Sequence, residues 1–260
     1  MRKESYMKSA KTSVILTVLG LGSAVLLCAQ TGKITGTVTT DTGIPLPGMV
    51  VSASLRSAAS APASKTAPPA FMPIAAKATS DLLGRFEIDN LPDGAYALCG
   101  DPAGTAFLDP CLWAPAGSLI AIASGSAQTG ATVVMRQGVP LVLRIADQTG
   151  NLYSHPATDD TALYTLNGKI FIQARYSGRD AGGKTMVLVV PPGQGLNLFA
   201  RSKAFSLADS KGNSLTEAVA LPLTAPALAG LLQTGQAPGV ISTAGAAAAL
   251  TVTVTGATHP

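Results

Sequence analysis

The sequence predicts an all-β chain built as two β-sandwich domains, and three observations lead there. Runs of about five to eight residues alternate apolar with polar side chains, the period of a strand with one buried face. Asp or Asn with Gly cuts these runs at short intervals, as reversals between antiparallel strands require. The chain carries 27 Gly and 18 Pro against 12% charged residues, a composition that leaves few Glu, Lys and Arg for long solvated helices.

The first segment reads as an export signal. Arg2, Lys3, Lys8 and Lys11 precede an apolar stretch from about Ser13 to Leu27, and small Ala29 follows. Residues 1–29 are therefore expected to be a signal peptide, starting at Met1 or Met7, that sends the protein to the periplasm, cell surface or extracellular space. Cleavage after Ala29 puts Leu27 three positions before the cut, where a smaller residue is usual. Two other readings stay open. An uncleaved anchor has about fifteen apolar residues against the ~20 of a spanning helix. A lipid on Cys28 meets Leu27 where a bacterial lipoprotein has Gly, Ala or Ser. Losing residues 1–29 removes four of the 18 basic and one of the 14 acidic residues, so the net charge falls from +4 to +1. No clustered basic face remains, and nucleic acid is excluded as an expected partner.

Some 231 mature residues, the 260 less the signal, suffice for two modest domains. The first, residues 32–136, holds "KITGTVTT", "MVVSASL", "GRFEI", "GAYAL" and "ATVVMRQG". Its tract at residues 56–70, "RSAASAPASKTAPPA", is too rich in Ala, Ser and Pro to pack a core and reads as a long mobile loop. A boundary falls near Gly138. The second domain, residues 139–256, holds "VPLVLRIAD", "GKIFIQARY", "KTMVLVV", "GLNLFARS", "AFSLAD" and "ALTVTVTG". Pro222, Pro226 and Pro238 break the apolar stretch 218–247, which leaves room for a short helix around Ala227 to Leu232.

The reversals have a mechanism. Asp41 with Gly43, Asp81 with Gly84, Asp147 with Gly150 and Asp209 with Gly212 each join a side chain that accepts a local N–H to a residue free to take positive φ. None carries the dense ligand series of a calcium loop. In "LPDGAYAL", Pro92 fixes φ and Gly94 is expected in the left-handed region.

These segments also carry a resemblance. Gly36, Val38, Asp41, Gly43, Pro45, Pro47, Gly48 and Val50, followed by Asp81, Gly84, Phe86, Ile88, Leu91, Pro92, Gly94 and Tyr96, resemble the carboxypeptidase regulatory-like domain in residue type and order. The likeness covers residues 32–136. It implies a seven-stranded Greek-key, transthyretin-like sandwich of the carbohydrate-binding-like, starch-binding kind, with Phe86, Ile88, Leu91 and Tyr96 in its core. In the enzymes that carry it the module is an accessory. The related collagen-adhesin B-type repeats often join a Lys to an Asn or Asp beside an acid. Lys33 and Glu87 are present, but "ATVVMRQG" offers neither Asn nor Asp, so that bond is not carried over. The insertion "CGDPAGTAFLDPCLW" is a second departure.

Cys99 and Cys111 are the cysteines outside the signal. An exported pair closing a short Gly/Pro loop reads as a disulfide, with two free thiols as the alternative. Trp113, two residues past that loop, reads either as a lid over the disulfide and the sandwich end or as a platform for a sugar ring. Phe71, Phe107, Tyr153 and Tyr164 are the other aromatic side chains that loops or strand ends could present. Glu87, Asp89, Asp93, Asp101 and Asp109 read as turn-forming and solvated acids, with calcium as the competing reading. His155 with Asp159 and Asp160 could make a base or a metal site, yet no zinc-protease, nucleophile-elbow, P-loop or dinucleotide motif accompanies them.

The expectation is an exported, non-catalytic interaction or scaffolding protein of the bacterial cell envelope or extracellular space. It has no catalytic or metal-binding residues and no small-molecule cofactor, and its partner is a protein or polysaccharide. The alternative is carbohydrate binding through loop aromatics, with Trp113, Tyr153 and Tyr164 as the ligand-binding side chains.

Overall fold

The computed structural model describes residues 31–58, 74–102, 104–114, 119–154, 156–216, 219–227 and 248–257. The expected signal with Cys28, Phe71, His155, and nearly all of the 56–70 tract and of the short helix near 227–232 lie outside the described residues.

The described residues are largely β-structure. Its first eight strands are β1 (Gly32–Thr40), β2 (Val50–Ala58), β3 (Ile74–Thr79), β4 (Arg85–Leu91), β5 (Gly94–Asp101), β6 (Phe107–Leu108), β7 (Ile120–Ile122) and β8 (Ala127–Gln137). A four-residue helix, α1 (Pro110–Trp113), follows β6. The strands form two sheets, ordered β4-β1-β8-β6 and β3-β2-β5-β7. One face of each is apolar, and Ile34, Val38, Phe86, Ile88, Val133 and Met135 of the first pack with Val51, Ala53, Tyr96 and Ile122 of the second in one core. The resemblance implied seven strands. The eighth is β6, a two-residue strand that the insertion adds against the end of β8.

Local chemistry explains the motif at residues 80–98. Gly84 sits at φ +73 with its missing Cβ aimed at the Val38 carbonyl 2.6 Å away, so a side chain there meets backbone. Asp81 Oδ1 accepts from the N–H groups of Leu83 and Arg85, both at 2.8 Å. Strand alternation then buries Phe86 and Ile88, and would next point Asn90 inward. Asn90 instead adopts φ 59 while the register against β1 slips by one residue, which turns Leu91 into the core. The expected left-handed residue is thus Asn90 and not Gly94. Gly94 is the first residue of β5, paired with Ala58 on one side and Ile122 on the other, so it stays extended. Tyr96 is buried, and its hydroxyl donates to the Pro92 carbonyl at 2.6 Å, closing the corner.

The second half contains β9 (Val139–Ala146), β10 (Ala162–Asn167), β11 (Ile170–Gln173), β12 (Arg175–Asp180), β13 (Gly183–Val190), β14 (Gly195–Arg201), β15 (Phe205–Ala208), β16 (Ser214–Leu215), β17 (Leu221–Thr224) and β18 (Leu250–Ala257). A short helical turn, α2 (Asn151–Ser154), follows β9. Here too two sheets, β12-β13-β9-β18-β15-β16 and β11-β10-β14-β17, enclose one core, centred on Leu143, Ile145, Leu163, Leu188, Leu198 and Val252. The path of the chain repeats that of the first sandwich. β1 and β8 pair in parallel, as do β9 and β18. The order β4-β1-β8-β6 recurs as β13-β9-β18-β15, and β3-β2-β5-β7 recurs as β11-β10-β14-β17. The additions in the second sandwich are β12 and β16, one at each edge of the larger sheet.

One residue, Gly138, separates β8 from β9. A Cβ there would lie 2.6 Å from Leu108 Cδ2, 2.6 Å from Val189 Cγ1 and 2.9 Å from the Val190 carbonyl oxygen. Its N–H donates to the Ala106 carbonyl at 2.7 Å. The chain therefore crosses between sandwiches with both pressed against it.

Emptying the Phe86 site removes a ring that is 4% exposed and central to the first core. Phe86→Ala is expected to cost about 3 to 5 kcal/mol, the range for truncating a buried aromatic. A denaturant melt checks it, and a midpoint equal to that of the parent would refute the packing.

Candidate functional site

The insertion of the first sandwich builds the contact with the second. Cys99 in β5 and Cys111 in α1 are joined by a disulfide with Cα atoms 5.2 Å apart. Asp109 caps the short helix, its Oδ1 accepting from the Cys111 N–H at 2.8 Å, and Pro110 occupies the first helical position. The next two residues reach across to the second sandwich. Leu112 and Trp113 pack, half-buried, against the core of the second. The Asn167 side-chain amide donates to the Leu112 carbonyl at 2.7 Å, and Arg175 pairs with Asp101 at 2.8 Å. The lid expected over the sandwich end is thus a strut between sandwiches. Sequence alone could not show this, because the surface that Trp113 meets lies some sixty residues further on.

Beside the strut lies a cleft of about 180 Å³, walled by Thr105, Phe107, Asp109 and Trp113 from the first half and by Gln173, Arg175 and Tyr176, among others, from the second. Burial pushes the Asp109 carboxyl up to about 6, with Asp101 adding to the rise, while the Cys111 N–H and the charges of Arg175 and Arg56 act in the opposite sense. Tyr176, 63% exposed on the edge strand β12, is the aromatic wall residue that sequence reasoning missed. Its signal was weak, since "ARYSGRD" looks like any polar strand end.

The other aromatic candidates lie elsewhere. Tyr153 stands on α2, 72% exposed, and Tyr164 lies on the outer face of β10, so neither lines the cleft. The Tyr164 ring is stacked on Phe199 at 5.4 Å between centroids and tilted against Phe171 at 5.5 Å. Phe107 is a core residue.

Several of the acids serve the backbone or pair with bases. Asp93 accepts from the N–H groups of Ser124 and Gly125, Asp147 from those of Asn151 and Leu152, and Asp209 from those of Lys211 and Asn213. Thr40 rather than Asp41 takes the turn N–H of Ile44. Lys33 and Glu87 form an exposed ion pair at 3.0 Å. Among the described residues, one group of three His, Cys, Asp or Glu side chains converges closely enough to share an ion, and it is Cys99, Asp109 and Cys111. Its two sulfurs are bonded to each other, so no thiolate is on offer.

Asp159 and Asp160 part company. Asp160 accepts from the N–H groups of Lys203 and Ala204. Asp159 is buried with Lys184, whose Nζ lies 2.9 and 3.0 Å from its two oxygens, and it also pairs with Arg179. Lys184 donates in addition to the Thr161 carbonyl at 2.7 Å, and Arg179 to that of Leu152 at 3.0 Å. Burial raises the Asp159 carboxyl, but bonds from Thr161 and Lys184 and the Lys184 charge outweigh it and hold the group below the ordinary range. This triad ties β12 and β13 to the loop before β10. Each of the three side chains is bonded to another of them, and Lys184 and Arg179 also donate to backbone carbonyls, which marks the group as a structural knot.

No family model matches the chain, and no curated protein matches it. Among solved structures it is similar to the Streptococcal ancillary pilin (12% identity over 83% of this chain and 62% of that one, TM-score 0.33). It is also similar to the full-length major pilin SpaD from Corynebacterium diphtheriae (12%, 65% and 60%, TM-score 0.30) and to the Bacillus anthracis TIE protein (11%, 76% and 44%, TM-score 0.27). The chain thus spans less than two thirds of each of these proteins, and likenesses at these scores carry no functional argument. Among the described residues no helix is long and apolar enough to cross a membrane.

Two outcomes follow from the geometry. Alkylation of the unfolded chain without reductant should add nothing at Cys99 or Cys111, whereas two alkyl groups there would contradict the bridge. Asp159→Asn strands Lys184 without its counter-charge, and a loss of about 3 to 5 kcal/mol is expected. Because the folded-state pKa of Asp159 is depressed, its contribution is present above the ordinary carboxylate range and is lost as pH falls through the folded value. Acid melts of parent and variant should therefore converge at low pH.

Proposed function

We propose that this chain is an exported, non-catalytic scaffold of the cell envelope or extracellular space that holds two β-sandwiches at one fixed angle and offers their shared edge to a partner. The observation that carries the reading is the junction. With Gly138 alone between β8 and β9, and with Leu112 and Trp113 packed half-buried against the second core, the two units move as one body. A rigid support with binding groups placed on connecting segments is what an interaction module needs. Export rests on the basic and apolar pattern of residues 1–29, and the domain limits 32–136 and 139–256 on the separate cores either side of Gly138. Kinship of the first domain with carboxypeptidase regulatory-like modules is supported by the Tyr96 to Pro92 corner, which gives a physical reason for the L-P-x-G-x-Y spacing.

Carbohydrate binding is the weaker reading, because the structure scatters Trp113, Tyr153 and Tyr164 and packs the Tyr164 ring against its neighbours.

Two measurements test the scaffold reading. Cell fractionation should find the chain in envelope or medium, shortened at its N-terminus, and saturably retained on isolated envelope. Retention in the cytosol, or turnover of a substrate by the purified chain, would overturn the proposal. In X-ray scattering the parent should fit one rigid particle. Gly138→Ala, which cannot relieve its contact with the Val190 carbonyl by a side-chain shift, should alter the particle's dimensions and weaken envelope retention together.

A further inference from the structure

The cleft between the sandwiches contains a charge that its local structural role does not require. Asp109 caps α1, and Asn caps a helix about equally well. As a carboxylate it is costly, because its folded-state pKa stands above the ordinary value and its ionisation lowers stability as pH rises from about 4 to about 6. The nearby bases do not answer it directly. Arg175 gives its guanidinium to Asp101 at 2.8 Å, and Arg56 acts on Asp109 only through its charge. Among the described residues, the one hydrogen bond to the Asp109 carboxylate is the cap from Cys111. A partly desolvated carboxylate without a bonded cation thus lines a cleft with Trp113, Tyr176, Phe107 and Leu112, and with Arg175, whose guanidinium is engaged by Asp101.

We infer that this cleft receives one basic side chain, a lysine ammonium or an arginine guanidinium, from a protein partner. The inference rests on the interaction reading above and names its contact chemistry. Charge complementarity supplies the first argument: a cation beside Asp109 offsets its desolvation, and aromatic rings on the walls favour a cation further. Size supplies the second. At about 180 Å³ the cleft is smaller than the ~300 Å³ from which whole-ligand pockets start, and it suits one side chain with its alkyl stem on the apolar wall. A neutral pyranose would leave the carboxylate's charge uncompensated.

Trp113 is the one tryptophan of the chain, so its fluorescence reports on the cleft directly. The oxidised protein is titrated with Nα-acetyl-lysine methylamide and Nα-acetyl-arginine methylamide, with the norleucine analogue and glucose as neutral probes. A saturable change is expected with a basic probe and none with the neutral ones. Affinity should fall about tenfold between pH 7.5 and pH 5 as Asp109 takes up its proton, and about tenfold in Asp109→Asn at pH 7.5. The Asn variant keeps the cap and should melt no lower than the parent at that pH; should it fail to fold, the pH series on the parent carries the same test. An equal response to norleucine overturns the inference, as does a response to glucose alone, which would make the cleft a glycan site. Silence of both basic probes up to about 50 mM, beyond the millimolar range of a single contact, overturns it as well. The titration needs no envelope partner, so its failure would remove the cleft's assignment without touching envelope retention, and loss of retention would leave a positive titration standing.

Discussion

The arrangement of this protein depends on a steric constraint at Gly138. The backbone passes from β8 to β9 through a gap bounded by Leu108 on one side and by Val189 and Val190 on the other, with no space for a methyl group. That close approach brings the edge of the first sandwich against the face of the second, and the strut of Leu112 and Trp113 is useful only because of it. A longer linker would let the two cores tumble separately, and the cleft formed between them would have no fixed shape. The disulfide acts on the same geometry. It pins the insertion at both ends, so the entropy of ordering the loop is already reduced before Leu112 and Trp113 meet their surface.

Both sandwiches follow one chain path, although their sequences look unlike. "LPDG" ahead of β5 and "VPPG" ahead of β14 occupy corresponding places, each a Pro-containing exit from a buried strand before the chain crosses to the other sheet. What differs is how each core is finished. The first uses a tyrosine corner and few buried charges, whereas the second keeps the Asp159, Lys184 and Arg179 knot beneath an extra edge strand. Such a knot adds little to stability as a pair, but it penalises any register that would leave a member alone.

Strand periodicity made most of the first sandwich legible in the sequence, since its long strands alternate cleanly and its turns carry Asp and Gly at fixed offsets. The short elements escaped. β6 and β7 are two and three residues long, too brief for a period to register. β10 was missed for another reason: "ALYTLN" is apolar on both faces, because Leu163 points into the core while Tyr164 stacks outside, although Asn167 and Gly168 at its end are a hairpin signal. In the candidate site, Cys99, Cys111 and Trp113 stood out by rarity. Tyr176, Asn167 and Lys184 did not, because their roles come from partners distant along the chain. Asp109 looked like one of many turn acids, and only its burial sets it apart.

The parallel pairing of β1 with β8 and of β9 with β18 has a mechanical consequence. In each sandwich the first and last strands lie side by side and run the same way, so tension applied at the chain ends acts along the ladder between them. The hydrogen bonds then share the load at once instead of parting one after another, as they would if the strands were peeled apart from one end. Since the two sandwiches are joined in series through a single residue, a pull on this chain meets two such shear-loaded ladders.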